Sequence, residues 1–347
     1  MYIKKILWAI ALIGLIIFGV VAYYIYGAMF KPNTAFNNDT AYIYVSSDAT
    51  YLQVREQLEP LLDDIDAFDA LASQKKYTSN IKAGRFAISK GMNNNDIINS
   101  IRSKNLPIKV TFNNQNNLTD LAGRISVQIE ADSISLYKSM TDESFLETNG
   151  FSEKTALGMY LPDSYEFFWN TAADGFRDKM LKRYNSFWTD ERKAKAKKLN
   201  LSPNEVMTVA SIVYEESKQK EEQPRVAGVY LNRLRIGMKL DADPTIKYAA
   251  YQLPKYKNTI IRRVLNVHKD IDSPYNTYRN IGLPPGLIAM PDLSAVEAVL
   301  NPERHSYLYF VADAKKIGYH KFAKTLAQHN ANARQYHQYL SSQGINR

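Results

Sequence analysis

No charged residue lies between Ile6 and Phe30 of this 347-residue chain. That run constrains the fold more than any other feature. A helix of about 20 apolar residues is long enough to cross a bilayer. In lipid the backbone must satisfy its own hydrogen bonds, and a single helix does so. A cleaved leader has a shorter apolar core, about 7–15 residues, and a small-residue cleavage site. Here the run continues into Tyr23, Tyr24 and Tyr26, rings that settle at a membrane–water boundary. Lys4 and Lys5 stand before it. The preference of positive charge for the cytoplasmic side then predicts residues 1–5 inside, a transmembrane helix over 6–27, and the remainder outside. A cleaved leader and a buried core helix are the competing readings. The chain has no Cys, so attachment through a lipidated Cys is excluded.

Beyond residue 30 the chain carries 42 basic and 35 acidic residues, a net charge of +7. Outside a membrane, such a charge suits an anionic wall polymer or lipid headgroups and not nucleic acid. The absence of Cys also removes disulfide scaffolds, Cys-ligated zinc, iron–sulfur clusters and thiol nucleophiles. At 45% hydrophobic and 23% charged residues, the composition is that of a folded globular chain.

Residues 31–41 are polar and rich in Asn, which predicts a flexible linker over 28–41. Tyr42–Val45 reads as a strand, followed by a helix carrying Leu52, Val54, Leu58, Leu61 and Leu62. The pattern of strand, polar turn and helix returns at Ile108–Phe112 and Leu118–Ile125. Between the two, Arg85–Ile88 is strand-like, Gly91 turns the chain, and Asn93–Asn95 can cap a helix with Ile97, Ile98 and Ile101. This stretch resembles a LysM-type module, a small unit that binds N-acetylglucosamine polymers; a docking module with no sugar contact is the alternative. The expected boundaries are 42–107 for this subdomain and 108–347 for a larger mixed α+β domain. The basic run at 190–199 reads as a solvated helix face.

Ser202-Pro203-Asn204-Glu205 marks a helix start: Ser at the N-cap, Pro at the first turn, Glu closing a capping box. Val206, Val209, Ala210 and Val213 then follow at helical spacing. The next position on that stripe is Glu216. Its neighbour Glu215 falls on the face of Thr208 and Ser211, which predicts a solvated carboxylate. A carboxyl on the buried side gains proton affinity by desolvation, as a general acid near neutral pH requires. The alternative is that Glu216 pairs with a buried Arg such as Arg225 or Arg233. No HExxH, GxSxG, P-loop or GxGxxG motif occurs, and His268, His305, His320, His329 and His337 lack metal-ligand spacing.

Val209–Ser217, followed by Arg225–Ala249, resembles the endolytic murein transglycosylases, the MltG or YceG-like family. Leu161–Phe167, Asp272–Pro291, Leu300–Asp313 and His320–Asn330 match as well. The likeness runs from about residue 80 to 335. It implies a single N-terminal anchor, a LysM-like subdomain, and a YceG-like catalytic domain that cuts peptidoglycan strands internally. The family's catalytic glutamate ends an Ala-Ser-Ile-Val-x-x-Glu run, which is Ala210–Glu216 here. Many members have an acid where this chain has Tyr214, and Glu-Gly where it has Leu157-Gly158.

The resemblance implies a lytic transglycosylase that needs neither metal nor cofactor. One acid protonates the bond between MurNAc and GlcNAc, and the MurNAc 6-hydroxyl closes a 1,6-anhydro ring. Asn232 and Arg233 are candidates to orient Glu216 or the glycan. Asp243, with Thr245 and Tyr248 beside it, is a candidate to stabilise positive charge on the sugar, or to cap the helix starting near Pro244. Tyr275, Asn276 and Tyr278 are expected to line the cleft, and Gly282–Gly286 to form a rigid wall. The expected site is the cytoplasmic (inner) membrane, with cell-wall synthases as partners and ends of nascent strands as products. Two other functions stay open: a lysozyme-like hydrolase pairing Glu216 with Asp241 or Asp243, and a non-catalytic wall-binding scaffold.

Overall fold

The computed structural model describes residues 2–257 and 259–344. Met1, Asn258 and residues 345–347, which fall in the expected segments 1–5 and 108–347, lie outside the described residues. The architecture is mixed α+β, built from helices and three two-stranded sheets among the described residues.

Helix α1 runs from Tyr2 to Phe30, with a mean hydropathy of 2.6 in its most apolar window. At about 1.5 Å per residue it is long enough to cross a hydrocarbon core of about 30 Å. Its apolar side chains face outward rather than into a protein core.

The chain divides into two compact units. The first contains residues 1–110, 127–131 and 165–172. Strand β1 (Thr40–Val45) pairs antiparallel with β2 (Gly84–Ser89), with Ile43 opposite Phe86 and Val45 opposite Gly84. Helices α2 (Tyr51–Leu58) and α3 (Ile65–Gln74) lie between these strands in sequence, and α4 (Asn94–Ser103) follows. Alternation puts Ile43, Val45, Phe86 and Ile88 on one face of the ladder, where they pack with Val54, Leu58, Phe68, Leu71, Ile97, Ile98 and Ile101. Each helix starts on a side-chain cap: Thr50 with a Gln53 capping box, Asp64, and Asn93.

The polar stretch after α1 departs from the expected flexible linker. Asn33 is buried; its Nδ2 donates to the Asp64 carbonyl and to Asn94 Oδ1, both at 2.7 Å, and its Oδ1 accepts from the Asp64 N–H. The Ala35 N–H donates to the Leu61 carbonyl, and Thr34 Oγ1 accepts from the Gly91 N–H. Asn side chains that read as loop signals here take up backbone groups that would otherwise be buried without partners. Asn94 Nδ2 also donates to the Ala28 carbonyl, and Met29 packs on the core of this unit.

The second unit contains residues 111–126, 132–164 and 173–347. In chain order, strand β3 (Pro107–Phe112), which belongs to the first unit up to residue 110, leads to α5 (Leu118–Ser126), α6 (Ser133–Met140) and α7 (Glu143–Thr148). Strand β4 (Asp163–Phe168), the partner of β3 and part of the first unit from residue 165, is followed by α8 (Ala173–Phe187) and α9 (Asp190–Lys198). Of α9 only Ala196 is buried, so the basic run is a solvated face. The centre is α10 (Pro203–Glu216) and α11 (Gln223–Arg235), then α12 (Asp243–Tyr251), α13 (Asn266–Lys269) and α14 (Leu293–Leu300), which packs on both α10 and α11. Strands β5 (Tyr309–Ala312) and β6 (His320–Ala323) pair antiparallel before the closing helix α15 (Leu326–Ser342).

Helix α10 begins as its sequence indicates. The Ser202 hydroxyl accepts from the Glu205 N–H, and the Glu205 carboxylate accepts from the Ser202 N–H at 2.7 Å. Every residue from Val206 to Val213 is buried. Thr208 and Ser211, expected on a polar face, are therefore inside. Their hydroxyls donate back to the Asn204 and Thr208 carbonyls, and Ser211 Oγ also accepts from the Ile288 N–H. A helix wrapped on all sides has no polar face to offer, and hydroxyls bonded to their own backbone can be buried at little cost.

Gly286 lies so close to the carbonyl of Lys154 that a Cβ built on it would stand 2.1 Å from that oxygen. Backbone cannot yield as a side-chain tip does. Gly286→Ala is expected to lose about 1–3 kcal/mol of stability, read as a lower urea midpoint at unchanged m-value. A midpoint equal to that of the unsubstituted protein would show that the loop relaxes freely.

Candidate active site

Glu216 is the last residue of α10. It lies where the helix stripe meets a cavity of about 460 Å³, lined by Arg233, Asp241, Asp243, Lys269, Tyr278, Tyr309, Phe310, His320 and His329 among others. Neither Arg225 nor Arg233 is bonded to it. Arg225 is paired with Glu303 at 2.9 Å, and Arg233 donates mainly to backbone. The partner of Glu216 is Tyr230 of α11, fully buried, whose hydroxyl donates to Oε1 at 2.7 Å. Glu216 Oε2 has no hydrogen-bond partner among the described residues.

Burial pushes the Glu216 carboxyl up to about 7. The Tyr230 hydrogen bond opposes this, and the Asp243 charge adds to it. Glu216 also stands at the C-terminal, negative end of a helix, which disfavours a carboxylate. Glu215, one residue away, is exposed and pairs with Lys218 at 2.8 Å. Two adjacent acids thus sit in opposite environments, as the helix period indicates.

The other carboxylates of the cavity are engaged. Asp243 Oδ1 accepts from the Tyr278 hydroxyl at 2.7 Å. Burial, with the Asp243 charge, holds the Tyr278 phenol well above its ordinary range. Lys269 Nζ lies 4.5 Å from the centre of the Tyr278 ring. Asp243 does not cap α12. Ala242 occupies the N-cap position without a side-chain bond, and Asp243 is the first helical residue, with its carboxylate turned to Tyr278. Asp241 takes φ +45°, a left-handed conformation that Asp tolerates better than most residues. It faces Arg233 at 3.6 Å. Burial raises its carboxyl, partly offset by the Arg233 charge.

The remaining sequence candidates separate. Arg233 lines the cavity and is a clamp: Nε donates to the Leu308 carbonyl at 2.6 Å and Nη1 to Leu240 at 2.7 Å. Asn232 turns away. Its Nδ2 donates to the His305 and Tyr307 carbonyls, and it borders a separate cavity of about 1060 Å³ that also meets Leu283, Pro284 and Pro285. Thr245 is fully buried, bonded to the Ala242 carbonyl and to Thr277 Oγ1. Asn276 is fully buried; Nδ2 donates to the Lys269 and Ile271 carbonyls while Oδ1 accepts from the Tyr278 N–H, which places the Tyr278 backbone. Tyr248 and Tyr275 face each other with ring centres 4.6 Å apart and do not border the Glu216 cavity.

The structure adds residues that the sequence did not single out. Tyr230 reads as one more aromatic on a core stripe. Phe310 stands edge-on to Tyr230, with centres 5.9 Å apart, and walls the cavity. His320 reaches the same cavity from β6. No three His, Asp or Glu side chains among the described residues gather as a metal-binding group.

The profile of the YceG-like family matches residues 43–335, most of the chain. The chain belongs to the YceG-like family. A relative from Bacillus subtilis (strain 168), named endolytic murein transglycosylase, is 33% identical over 75% of this chain and 74% of its own length. One of the same name from Streptococcus pneumoniae serotype 2 (strain D39) is 27% identical over 76% of this chain. This chain spans 52% of that longer relative. A crystal structure of a putative YceG-like protein from Listeria monocytogenes superposes with a TM-score of 0.56 at 26% identity, covering 85% of this chain and 99% of that one. The Ala210–Glu216 run that resembles the family's lies on α10, and its terminal glutamate borders the cavity.

The raised proton affinity of Glu216 has a consequence for stability. Because its folded value lies above the ordinary carboxyl value of 4.5, the favourable protonated form contributes fully below pH 4.5. That contribution is lost as pH rises through about 7. Glu216→Gln, which keeps an acceptor for Tyr230, is expected to melt higher than the unsubstituted protein at pH 8, with the difference vanishing near pH 4. Equal melting temperatures at both pH values would show that the carboxyl is not desolvated.

Proposed function

We propose that this chain is a membrane-anchored endolytic lytic transglycosylase of peptidoglycan, with Glu216 as its acid and base. The observation that carries the reading is the Glu216 carboxyl, poised near neutrality in a cavity where the neighbouring acids are already engaged. The names of the relatives and the family membership support the substrate class.

Protonated Glu216 gives its proton to the oxygen that joins MurNAc C1 to GlcNAc C4. The C1–O bond breaks and GlcNAc leaves as an alcohol. The Glu216 carboxylate, held by the Tyr230 hydroxyl, then takes the proton of the MurNAc 6-hydroxyl as that oxygen bonds to C1. The 1,6-anhydro ring closes, no water is consumed, and Glu216 is protonated again. An internal nucleophile has a high effective concentration, so a second carboxylate to activate water is unnecessary. The engaged acids Asp241 and Asp243 supply negative charge near the sugar as positive charge develops on it.

On this reading α1 spans the cytoplasmic membrane through residues 6–27, with Lys4 and Lys5 inside and both folded units outside. The first unit, with its strand–helix–helix–strand order, serves as a LysM-like glycan-docking subdomain. Cutting beside the membrane releases nascent strands, and wall synthases are the neighbouring partners.

Intact protein in detergent, incubated with purified peptidoglycan, is expected to release internal fragments ending in 1,6-anhydroMurNAc by mass spectrometry. Glu216→Gln should lower the rate by at least about 100-fold, while Glu215→Gln leaves it within about twofold. Because the acid must be protonated, the rate should fall above pH 7. Reducing-end products would point to a hydrolase using Asp241 or Asp243. Binding without cleavage would point to a scaffold.

Orientation is testable because the chain has no Cys. In intact cells a membrane-impermeant maleimide should label Ile317→Cys, a position 87% exposed. Tyr2→Cys should label only after lysis. The reverse pattern would overturn the orientation.

A further inference from the structure

Glu222 is a buried carboxylate, 4% exposed, that the proposed chemistry does not use. It is joined to a residue 98 positions later: Oε1 accepts from the His320 N–H at 2.8 Å, and Oε2 contacts His320 Nδ1 at 2.8 Å. The Ser217 hydroxyl donates to Oε2 at 3.0 Å. Burial alone would raise this carboxyl, but the His320 and Ser217 donors outweigh it and hold it below its ordinary value. An ionised carboxylate only accepts, so His320 Nδ1 carries the proton.

Phe310 and Phe322 stand edge-on to the His320 ring, with centres 5.1 and 6.5 Å away. The ring is thus held by a carboxylate on one side and by two aromatic edges. Its remaining nitrogen, Nε2, has no hydrogen-bond partner among the described residues, and His320 borders the cavity that contains Glu216. A contact needed only to join β6 to the start of α11 would be complete with the backbone N–H of His320. A ring whose tautomer is set by a buried acid, and whose lone pair is left over at a cavity, has the form of a group that meets a ligand.

We propose that Glu222 locks His320 in its Nδ1–H tautomer so that Nε2 accepts a hydrogen bond from a hydroxyl of the sugar beside Glu216. The inference rests on the transglycosylase reading. The MurNAc 6-hydroxyl keeps its one hydrogen for Glu216, so the hydroxyl that Nε2 holds is one on the GlcNAc side of the bond to be cut. Holding that sugar before attack lowers the entropy lost in reaching the transition state. His320 touches substrate, whereas Glu222 is a positioning residue that acts through it.

The test uses the intact chain in detergent. His320→Asn retains an amide donor at the Nδ1 position, bonded to Glu222, and removes the nitrogen at the cavity. It is expected to melt within about 2 °C of the unsubstituted protein, to lower kcat by about 100-fold, and to leave KM within threefold. Glu222→Gln places an amide N–H against Nδ1; it should invert the tautomer, seen in the ring ¹⁵N shifts, and lower kcat with it. A kcat within threefold for His320→Asn overturns the proposal.

Should His320→Asn fail to fold, a second measurement decides. In Glu216→Gln, saturation with a GlcNAc–MurNAc oligosaccharide should shift the His320 Nε2 resonance, and an unmoved resonance overturns the proposal. Failure of the unsubstituted chain to cleave glycan overturns the transglycosylase reading itself, and the inference with it. Cleavage with an indifferent His320 overturns only the inference.

Discussion

The bond from Tyr230 to Glu216 Oε1, 2.7 Å long between a fully buried phenol and a half-buried carboxyl, is the contact on which the site depends. It requires α10 and α11 to lie side by side with their inner faces in register. That in turn requires α10 to be packed on all sides from Val206 to Val213 and to start at a fixed point. The capping box at Ser202 sets the start, and the helical rise then sets where residue 216 emerges. α14 braces both helices, and the Ser294 hydroxyl donates to Gln223, whose amide donates to the Ser217 carbonyl just after the acid. A shift of one residue anywhere along α10 would rotate Glu216 by about 100° and break the contact.

The electrostatics follow from the same packing. A carboxyl desolvated at the end of a helix resists ionisation, and the protein gives each neighbouring acid a different answer. Asp243 is paired with a phenol, Asp241 faces a guanidinium, and Glu222 has three donors. Glu216, with one donor and a desolvated carboxyl, keeps a high proton affinity. The Asp243 charge helps to keep the proton on Glu216.

How much of this was legible in the sequence depends on whether the determinant was local. The start of α10, its stripe and the contrast between Glu215 and Glu216 all follow from spacing within one helix, and the strands at Tyr42 and Arg85 from alternation and caps. The Asn-rich segment was read as a linker because Asn and Thr mark turns; that Asn33 would bond to Asp64 and Asn94 depends on a fold not visible at position 33. Thr208 and Ser211 look polar until a helix is surrounded. Asn232 and Arg233 are neighbours in sequence, yet successive helical residues point about 100° apart, so they border different cavities. The link from Glu222 to His320 spans 98 residues and leaves no local trace.

That long link belongs to a wider arrangement in which α11 carries the far wall of the site. Arg233 grips the carbonyl of Leu308, and Asn232 those of His305 and Tyr307. The strand that follows supplies Tyr309 and Phe310, and its hairpin partner supplies His320. The helix that holds Tyr230 against the acid therefore also fixes the aromatic wall beside it. Desolvation and its compensation are set by one element. It follows that loosening the Asn232 or Arg233 clamps lowers the proton affinity of Glu216 by admitting water, although Asn232 does not border its cavity. The residues that tune the acid extend beyond those that touch it, because burial is produced by the whole wall and not by any one contact.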